Sequence, residues 1–328
     1  MKLQVPFIQL PLQFDAERLA AEIAQLGDAP WRPHPQGFAG NSMLPLVAVG
    51  GDPANESFAG QMAPTPELRR SPYLMQVFGS LGATIGRSRL MRLSGHAEVT
   101  RHADQGYYWT ERVRVHVPIQ TQPTVRFECG DAVINMAPGE CWIFDTWRQH
   151  RVINDAVESR IHLVVDTVGG GEFWNLVGQG RPDDGDRSAW PLRQVLPGAS
   201  VSAPLACEAV NVPVVMSPWE MNAHFSLLFS DALPHPSLGQ LRQRSLRFAR
   251  EWQGLWFAHG EKDTGWPAYR RALQAFVEAV REPAKGVYLR NELPWFGAMM
   301  TIVAKFAVSA DSIGAASAAL QKAVGDNA

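Results

Sequence analysis

The chain lacks the features that mark secreted, membrane or nucleic-acid-binding proteins. Its three cysteines, Cys129, Cys141 and Cys207, form no CxxC pair, which argues against a disulfide framework and a thiolate zinc site. It has no signal-peptide-like N-terminus and no apolar run of about 18 residues, so no membrane span is predicted. Thirty Lys and Arg stand against 32 Asp and Glu, too little positive charge for binding a polyanion. We therefore predict a cytoplasmic protein that binds neither membranes nor nucleic acid.

The apolar pattern divides the chain into a strand-rich part and a helical part. Short apolar runs bounded by turn residues predict many short strands, and this density is typical of an antiparallel sandwich or barrel. A segment with few periodic apolar positions follows and is predicted to be a connection. Apolar spacings of three and four then predict helices. The predicted organisation is a strand-rich domain at residues 1–169, a linker at 170–213 and a helical domain at 214–328.

The pattern also predicts individual elements. The predicted strands include Leu44–Val49, Arg114–Ile119, Thr124–Glu128, Ala132–Met136, Cys141–Phe144 and Glu158–Asp166. The predicted helices are Asp15–Leu26, Tyr73–Leu81, Pro236–Trp256, Trp266–Arg281, Trp295–Ala307 and Asp311–Val324. Asp15 is the predicted N-cap of the first helix, because an Asp side chain accepts hydrogen bonds from the first free amides.

A group of residues suited to metal chemistry lies in the strand-rich part. His102 and Asp104 are two positions apart, which places both on one face of an extended chain. With His150 they supply two histidines and one carboxylate, a set that occupies three positions of an octahedral ferrous ion. Three positions stay open for a bidentate 2-oxo acid and oxygen. Arg160 lies on a later strand and offers the bidentate cation that a buried 2-oxoglutarate requires.

These residues belong to an ordered series of motifs. The series comprises Arg92-Leu93, His102-Ala103-Asp104, Arg114-Val115-His116-Val117-Pro118, GECWIFD from Gly139 to Asp145, HRVIN from His150 to Asn154 and RIHLVVD from Arg160 to Asp166. In this order it resembles the aspartyl/asparaginyl β-hydroxylase family of Fe(II)- and 2-oxoglutarate-dependent dioxygenases, which includes bacterial proline hydroxylases. The resemblance covers roughly residues 40–168. Ser94-Gly95 stands where the family usually has a proline-glycine turn.

The resemblance implies an α+β fold with a double-stranded β-helix, which is a jelly-roll barrel of cupin type with flanking helices. It implies hydroxylation of an unactivated C–H bond in an amino acid, free or in a peptide, with Fe(II), 2-oxoglutarate and O2. The implied iron ligands and catalytic residues are His102, Asp104 and His150. The residues implied to bind 2-oxoglutarate are Arg160, which takes the C5 carboxylate, with Arg114 and His116.

Several of these residues also fit structural or surface roles that involve no iron or cosubstrate. His102 is also typical of an exposed polar loop, and His150 of a structural histidine at a strand entry. Arg160 fits an exposed strand position, and Arg114 and His116 fit a solvent-facing strand surface.

Other residues near the motifs leave alternatives open. His96-Ala97-Glu98 is a second His-x-carboxylate pair, although the spacing to the later motifs favours His102 and Asp104. Asp145 either orients a ligand histidine or caps its turn. The aromatic run Tyr107–Trp109 either walls a substrate pocket or belongs to a strand core. Arg112 and Arg148 are candidates for binding a charged substrate.

Two alternative functions remain at this stage. One is a non-catalytic metal-binding or sensor protein on the same barrel, and the other is a cupin-type metal enzyme that uses no 2-oxoglutarate. The helical half is predicted to cover the barrel mouth, to select the substrate or to mediate dimerisation.

Overall fold

The computed structural model describes residues 1–35, 37–183, 185, 190–198 and 204–309. Two sheets of short strands form the first part of the chain. The strands are β1 (Phe7–Phe14), β2 (Arg32–Pro33), β3 (Asn41–Val49), β4 (Met62–Pro64), β5 (Thr84–Leu93), β6 (Ala97–His102), β7 (Val113–Gln120), β8 (Arg126–Cys129), β9 (Ala132–Ile134), β10 (Glu140–Phe144), β11 (His150–Asn154), β12 (Arg160–Gly169), β13 (Arg181–Pro182) and β14 (Arg193–Val195).

The larger sheet has ten strands and the smaller has four. The larger runs β13-β1-β10-β7-β12-β5-β3-β2, with β14 beside β1 and β4 beside β3, and the smaller runs β6-β11-β8-β9. All pairings are antiparallel except that of β1 with β14. Strands distant in sequence lie side by side, as in a double-stranded β-helix. The α+β jelly-roll architecture predicted from the sequence is therefore confirmed.

An aromatic core lies among strands of both sheets. Phe7 and Phe144 come from the larger sheet and Phe127 from the smaller, and all three are nearly inaccessible to solvent. The Phe7 and Phe127 rings meet edge to face with centroids 5.6 Å apart. Burying each such ring stabilises the fold by roughly 1.5–3 kcal/mol, so this core holds the two sheets in a fixed relation.

The helices are α1 (Ala16–Leu26), α2 (Pro66–Arg69), α3 (Pro72–Ser80), α4 (Tyr107–Glu111), α5 (Gly171–Gly178), α6 (Pro218–Asp231), α7 (Leu238–His259), α8 (Trp266–Arg281) and α9 (Trp295–Met299). Asp15 caps α1 as predicted, because its Oδ1 accepts a hydrogen bond from the Arg18 amide at 3.0 Å. Among the helices described here, none combines the length and apolarity needed to span a membrane.

Contacts along the chain divide the described residues into two units. The first comprises Met1–Asp104 and Glu111–Ala209, and the second comprises Gln105–Thr110 and the chain from Val210 onward. The core of the second unit is aromatic: the Phe248 and Phe276 rings stack with centroids 4.2 Å apart. The Trp252 indole in the same core donates a hydrogen bond to the Met216 carbonyl at 2.8 Å.

Several elements differ from the sequence prediction. The segment predicted to be a connection contains α5 and the edge strands β13 and β14. The helix predicted at Trp295–Ala307 ends at Met299 and continues as a π turn over Met300–Ala304, where the Thr301 hydroxyl bonds to carbonyls of the preceding turn. The helix predicted at Asp311–Val324 lies outside the described residues.

The prediction missed helix α6 altogether. Its N-cap Ser217 accepts a hydrogen bond through Oγ from the Glu220 amide at 3.2 Å. Ser217 and Glu220 stand in the Ser-x-x-Glu spacing of a capping box, so the signal was present in the sequence.

A buried ion pair fastens the end of the first unit to the barrel. Arg112 donates to both carboxylate oxygens of Glu208, through Nε and Nη2, at 2.8 Å each. Both side chains are nearly inaccessible, at 4% and 2% exposure. The backbone of Glu208 also bonds to Met62 and Ile85. Arg112 is therefore engaged in the fold through Glu208, and its candidate role in substrate binding stays a prediction.

We expect Glu208→Gln to lower the free energy of unfolding of this unit by about 3 kcal/mol, because it leaves the buried charge of Arg112 without a carboxylate partner. Chemical denaturation followed by tryptophan fluorescence measures the change. Asp155→Asn is the matched control, since Asp155 and Arg126 form an ion pair in which both side chains are about half exposed. Water screens such pairs, so the control should unfold like the wild type. Equal effects of the two substitutions would contradict a structural role for the buried pair.

Candidate active site

The structure brings His102, Asp104 and His150 together at one end of the smaller sheet. His102 ends β6, His150 begins β11, and the two are directly opposed in the register of these strands. Their ring centroids are 4.3 Å apart. One potential ligand atom from each of the three residues lies within 4.8 Å of the others. The cluster therefore has the composition and the closeness of a metal site.

Backbone carbonyls orient both imidazole rings. His102 Nδ1 lies 2.7 Å from the Thr100 carbonyl oxygen, and His150 Nδ1 lies 2.9 Å from the Arg148 carbonyl oxygen. A carbonyl only accepts, so each Nδ1 carries the proton and donates it. The Nε2 lone pair of each ring is thereby left available for a metal ion. Burial, aided by the neighbouring His102 ring, lowers the pKa of His150 to about 4, which keeps that ring neutral near pH 7.

Arg114 holds the carboxylate of the cluster. Its Nη1 lies 3.2 Å from Asp104 Oδ2, and its Nε donates to Asp166 Oδ1 at 3.0 Å. Burial opposes ionisation of Asp104, but Arg114 and the two histidines outweigh it, so the pKa of Asp104 lies below its usual value. Arg114 thus links an ionised Asp104 to the larger sheet.

A second group of basic residues lines the inner face of the larger sheet. Arg160 and His162 are alternate residues of β12, and His116 lies opposite Val164 of the same strand. All three side chains are buried. Burial lowers the pKa of Arg160 to about 9, which leaves the guanidinium charged at neutral pH. Burial and the Arg160 charge hold the pKa values of His116 and His162 well below normal, so both rings are neutral.

The hydrogen bonds of this group leave donors available for an anion. Arg160 Nη2 lies 2.7 Å from His162 Nδ1, and an always-protonated guanidinium must be the donor. The neutral His162 ring therefore carries its proton on Nε2. That atom, Arg160 Nε and His116 Nε2 are buried and have no hydrogen-bond partner within the described residues. Unsatisfied buried polar atoms are costly, and the carboxylate of a 2-oxo acid would satisfy the donors among them.

The other residues singled out in the sequence lie elsewhere. His96 and Glu98 are exposed, so the alternative His-x-carboxylate pair does not join the cluster. Asp145 caps the turn before His150, since its Oδ1 accepts from the Trp147 amide and its Oδ2 from Arg148 Nε, both at 3.0 Å. Arg148 is held by this contact.

The aromatic run Tyr107–Trp109 belongs to helix α4, so of the two alternatives left open by the sequence, the strand core is excluded. Within the second unit, the Tyr107 hydroxyl donates to Glu220 Oε1 at 2.5 Å, and its ring stacks on Phe306. These contacts exist only after the distant helices have folded, which is why local sequence did not indicate them.

Two residues of the site were not assigned from the sequence. His162 receives the hydrogen bond of Arg160, and Asp166 receives that of Arg114. Both lie on β12 at even spacing from Arg160, on the same face. This alternation was a usable signal, but an apolar residue at position 164 interrupts the polar series.

Comparison with known proteins finds a family that part of the barrel resembles. Residues 57–169 match the family model described as Aspartyl/Asparaginyl beta-hydroxylase. Over those residues the chain is similar to that family. The matched region contains His102, Asp104, His150 and Arg160, so the geometric cluster and the buried guanidinium both fall inside it.

Two curated relatives from a Streptomyces species cover the same half of the chain. L-proline cis-3-hydroxylase 1 is 26% identical over 181 residues, and L-proline cis-3-hydroxylase 2 is 25% identical over 179 residues. Each alignment covers 49% of this chain and 60% of the relative. The chain thus spans about three fifths of the length of these curated relatives.

Two solved structures align with about half of this chain and share little sequence with it. A prolyl-4-hydroxylase from Pseudomonas putida aligns over 50% of this chain and 92% of its own, with 16% identity and a TM-score of 0.35. A 2OG-Fe(II) oxygenase family protein from Burkholderia pseudomallei aligns over 47% of this chain and 80% of its own, with 15% identity and a TM-score of 0.34.

Proposed function

We propose that the chain is an Fe(II)- and 2-oxoglutarate-dependent dioxygenase that hydroxylates an unactivated C–H bond of an amino acid, free or in a peptide. The observation that carries this proposal is a His-Asp-His cluster in the same barrel as a buried guanidinium flanked by two neutral histidines. Metal ligands alone would suit many enzymes. The second group supplies what a dicarboxylate cosubstrate needs, and the match of residues 57–169 to the Aspartyl/Asparaginyl beta-hydroxylase family model supports the same proposal.

In this proposal His102, Asp104 and His150 would hold ferrous iron, with the two Nε2 atoms and a carboxylate oxygen as the available donors. When bound, iron and 2-oxoglutarate supply with O2 the oxidation that places one oxygen atom into the substrate C–H bond. The backbone carbonyls of Thr100 and Arg148 keep the two imidazole tautomers correct for binding.

Arg114 orients the carboxylate ligand. Because it also bonds to Asp166 on β12, it fixes Asp104 relative to the larger sheet. The binding of 2-oxoglutarate by Arg114 itself stays a prediction, since this guanidinium already contacts two carboxylates.

Arg160 and His162 are proposed to bind the distal carboxylate of 2-oxoglutarate together. Arg160 provides the charge and Nε–H, and His162 provides a neutral Nε2–H donor. The His116 ring meets the His162 ring edge to face, with centroids 5.6 Å apart, and so lies on the same polar face. Charge-assisted hydrogen bonds in a buried site are strong and directional, so the cosubstrate would be held in one orientation.

The decisive experiment is turnover with defined components. Metal-free protein is supplied with Fe(II), 2-oxoglutarate and O2, and with a panel of free amino acids and peptides that begins with L-proline, since the curated relatives are named for it. We expect succinate and a product heavier by one oxygen atom in equal amounts. Asp104→Ala is the inactive control. Iron binding without any binding or consumption of 2-oxoglutarate would instead support a cupin-type enzyme or a sensor.

A further inference from the structure

The chain passes from the first unit to the second directly after Asp104, the carboxylate of the proposed metal cluster. The six residues Gln105–Thr110 belong by their contacts to the second unit, and the chain returns to the first unit at Glu111. Most of helix α4 lies in this 105–110 segment. The stretch that follows a metal ligand in sequence is therefore built into the helical unit.

Tyr107 anchors the 105–110 segment within that unit. Its side chain is buried, and its hydroxyl donates a hydrogen bond to Glu220 Oε1 at 2.5 Å. The Tyr107 ring stacks on Phe306 with centroids 4.6 Å apart, and the His224 ring meets it edge to face at 5.7 Å. Side chains from α6 and from the chain beyond α9 thus hold one residue of the segment.

The hydrogen bond between Tyr107 and Glu220 is made to a charged group. Burial opposes ionisation of Glu220, but the neighbouring His224 ring and the Tyr107 hydroxyl outweigh it, so the pKa of Glu220 lies below its usual value. Glu220 also lies in the first turn of α6, where the helix dipole favours a negative charge. A hydrogen bond to an ionised group is roughly twice as strong as one between neutral groups, so this contact is a firm one.

The residue before Tyr107 also fits the helical unit closely. Gly106 has a φ of +98°, a backbone conformation that residues with a Cβ atom rarely adopt. A Cβ atom at this position would lie 3.8 Å from the carbonyl oxygen of Thr301, which belongs to the π turn. The path of the 105–110 segment is therefore determined at Gly106 as well as at Tyr107.

The backbone of Asp104 is constrained on both sides. Its amide donates to the Thr146 carbonyl at 2.9 Å, which holds the preceding peptide group within the first unit. The following peptide group joins Asp104 to the 105–110 segment. Because peptide groups are planar, the positions of these two groups set the φ and ψ angles of Asp104 and hence the direction of its Cβ atom. A displaced segment would therefore move the carboxylate.

We propose that Tyr107 is a positioning residue for Asp104, and that the helical unit, through Glu220, thereby raises the affinity of the cluster for a divalent metal. This inference deepens the proposed function, because it concerns the carboxylate assigned there to iron. Tyr107 acts through the chain that leaves Asp104 and not by contact with the metal. It gives the helical unit a role in supporting the metal site.

The first test measures Fe(II) affinity by anaerobic equilibrium dialysis of the full chain, without substrate or 2-oxoglutarate. Tyr107→Phe keeps the ring and removes only the hydroxyl. We expect the Fe(II) affinity to fall about tenfold, which is the lower end of the roughly 10- to 100-fold cost of removing a group that supports a metal ligand.

The matched control is Tyr269→Phe. The Tyr269 hydroxyl donates to the Gly260 carbonyl at 2.9 Å in the same unit, at a distance in sequence from the 105–110 segment. Each variant thus loses one tyrosine hydrogen bond of the helical unit, and thermal unfolding should show similar small losses of stability. Only Tyr107→Phe should lose Fe(II) affinity.

A double-mutant cycle separates positioning from a general loss of structure. Since Tyr107 acts through Asp104, Tyr107→Phe should cost no further affinity once Asp104→Ala has removed the carboxylate. Ni(II) is the probe in all four proteins of the cycle, because it binds such sites more tightly than Fe(II) does. Glu220→Gln should give an intermediate loss of Fe(II) affinity, because its amide oxygen still accepts from Tyr107 but carries no charge.

Two results would overturn the positioning role. One is an equal Fe(II) affinity of Tyr107→Phe and Tyr269→Phe. The other is a full additional loss of Ni(II) affinity when Tyr107→Phe is added to Asp104→Ala. If Tyr107→Phe does not fold, Glu220→Gln decides, and a wild-type Fe(II) affinity in that variant contradicts the proposal. Failure of the wild-type protein to bind Fe(II) is a separate outcome, and it would contradict the proposed function itself.

Discussion

Arg160→Gln is expected to weaken 2-oxoglutarate binding by about 100-fold or more while Fe(II) binding stays normal. A buried charged contact that loses one partner typically costs 2–5 kcal/mol, which is about 30-fold to several thousandfold in affinity. Anaerobic titration with 2-oxoglutarate of the Fe(II)-loaded protein measures the loss directly. Steady-state kinetics should show it mainly as a higher KM for 2-oxoglutarate.

Two further variants sharpen this experiment. Arg126→Gln removes an exposed arginine whose ion pair is open to solvent, and it should bind 2-oxoglutarate normally. His162→Phe removes the neutral donor and the acceptor for Arg160 while keeping a ring, so its effect should lie between those of wild type and Arg160→Gln. Normal 2-oxoglutarate affinity in Arg160→Gln would favour a metal enzyme that needs no 2-oxo acid.

His150→Ala is expected to lower Fe(II) affinity by more than about 100-fold, because even residues that only support a metal ligand cost 10- to 100-fold when removed. Equilibrium dialysis with Fe(II) under anaerobic conditions measures the affinity, independently of any substrate. Circular dichroism confirms that the barrel is folded, since His150 is buried between two strands of the smaller sheet.

His96→Ala is the matched control for this prediction. His96 belongs to the other His-x-carboxylate pair, and both His96 and Glu98 are exposed. Iron binding should be unaffected. Loss of iron in His96→Ala together with its retention in His150→Ala would overturn the assignment of the cluster.

Local sequence was sufficient for much of the secondary structure. Asp15 caps α1 where the sequence predicted it, and α8 has the predicted bounds of Trp266–Arg281. These elements depend on caps and on apolar periodicity, which are local properties. The edge strands β13 and β14 were missed because only their pairing with the distant strand β1 makes them strands.

The candidate site shows the same division between what local sequence indicates and what distant pairing decides. Motif order brought His102, Asp104, His150 and Arg160 to attention, and the structure places the first three together. Their chemical types are properties of the sequence. The fold decided which carboxylate each neighbouring arginine contacts. Asp166 accepts a hydrogen bond from Arg114 across a strand pair, and Glu208, at the far end of the unit, accepts one from Arg112.

The sequence by itself determined the composition of the His-Asp-His cluster, the strand-rich architecture and the resemblance of the barrel to a known family. Only the tertiary structure decided that Arg160 is buried beside two neutral histidines. The physical reason is that burial and strand register arise from pairing between distant segments. Burial and register in turn set the pKa values and the unsatisfied donors from which the binding of 2-oxoglutarate was inferred.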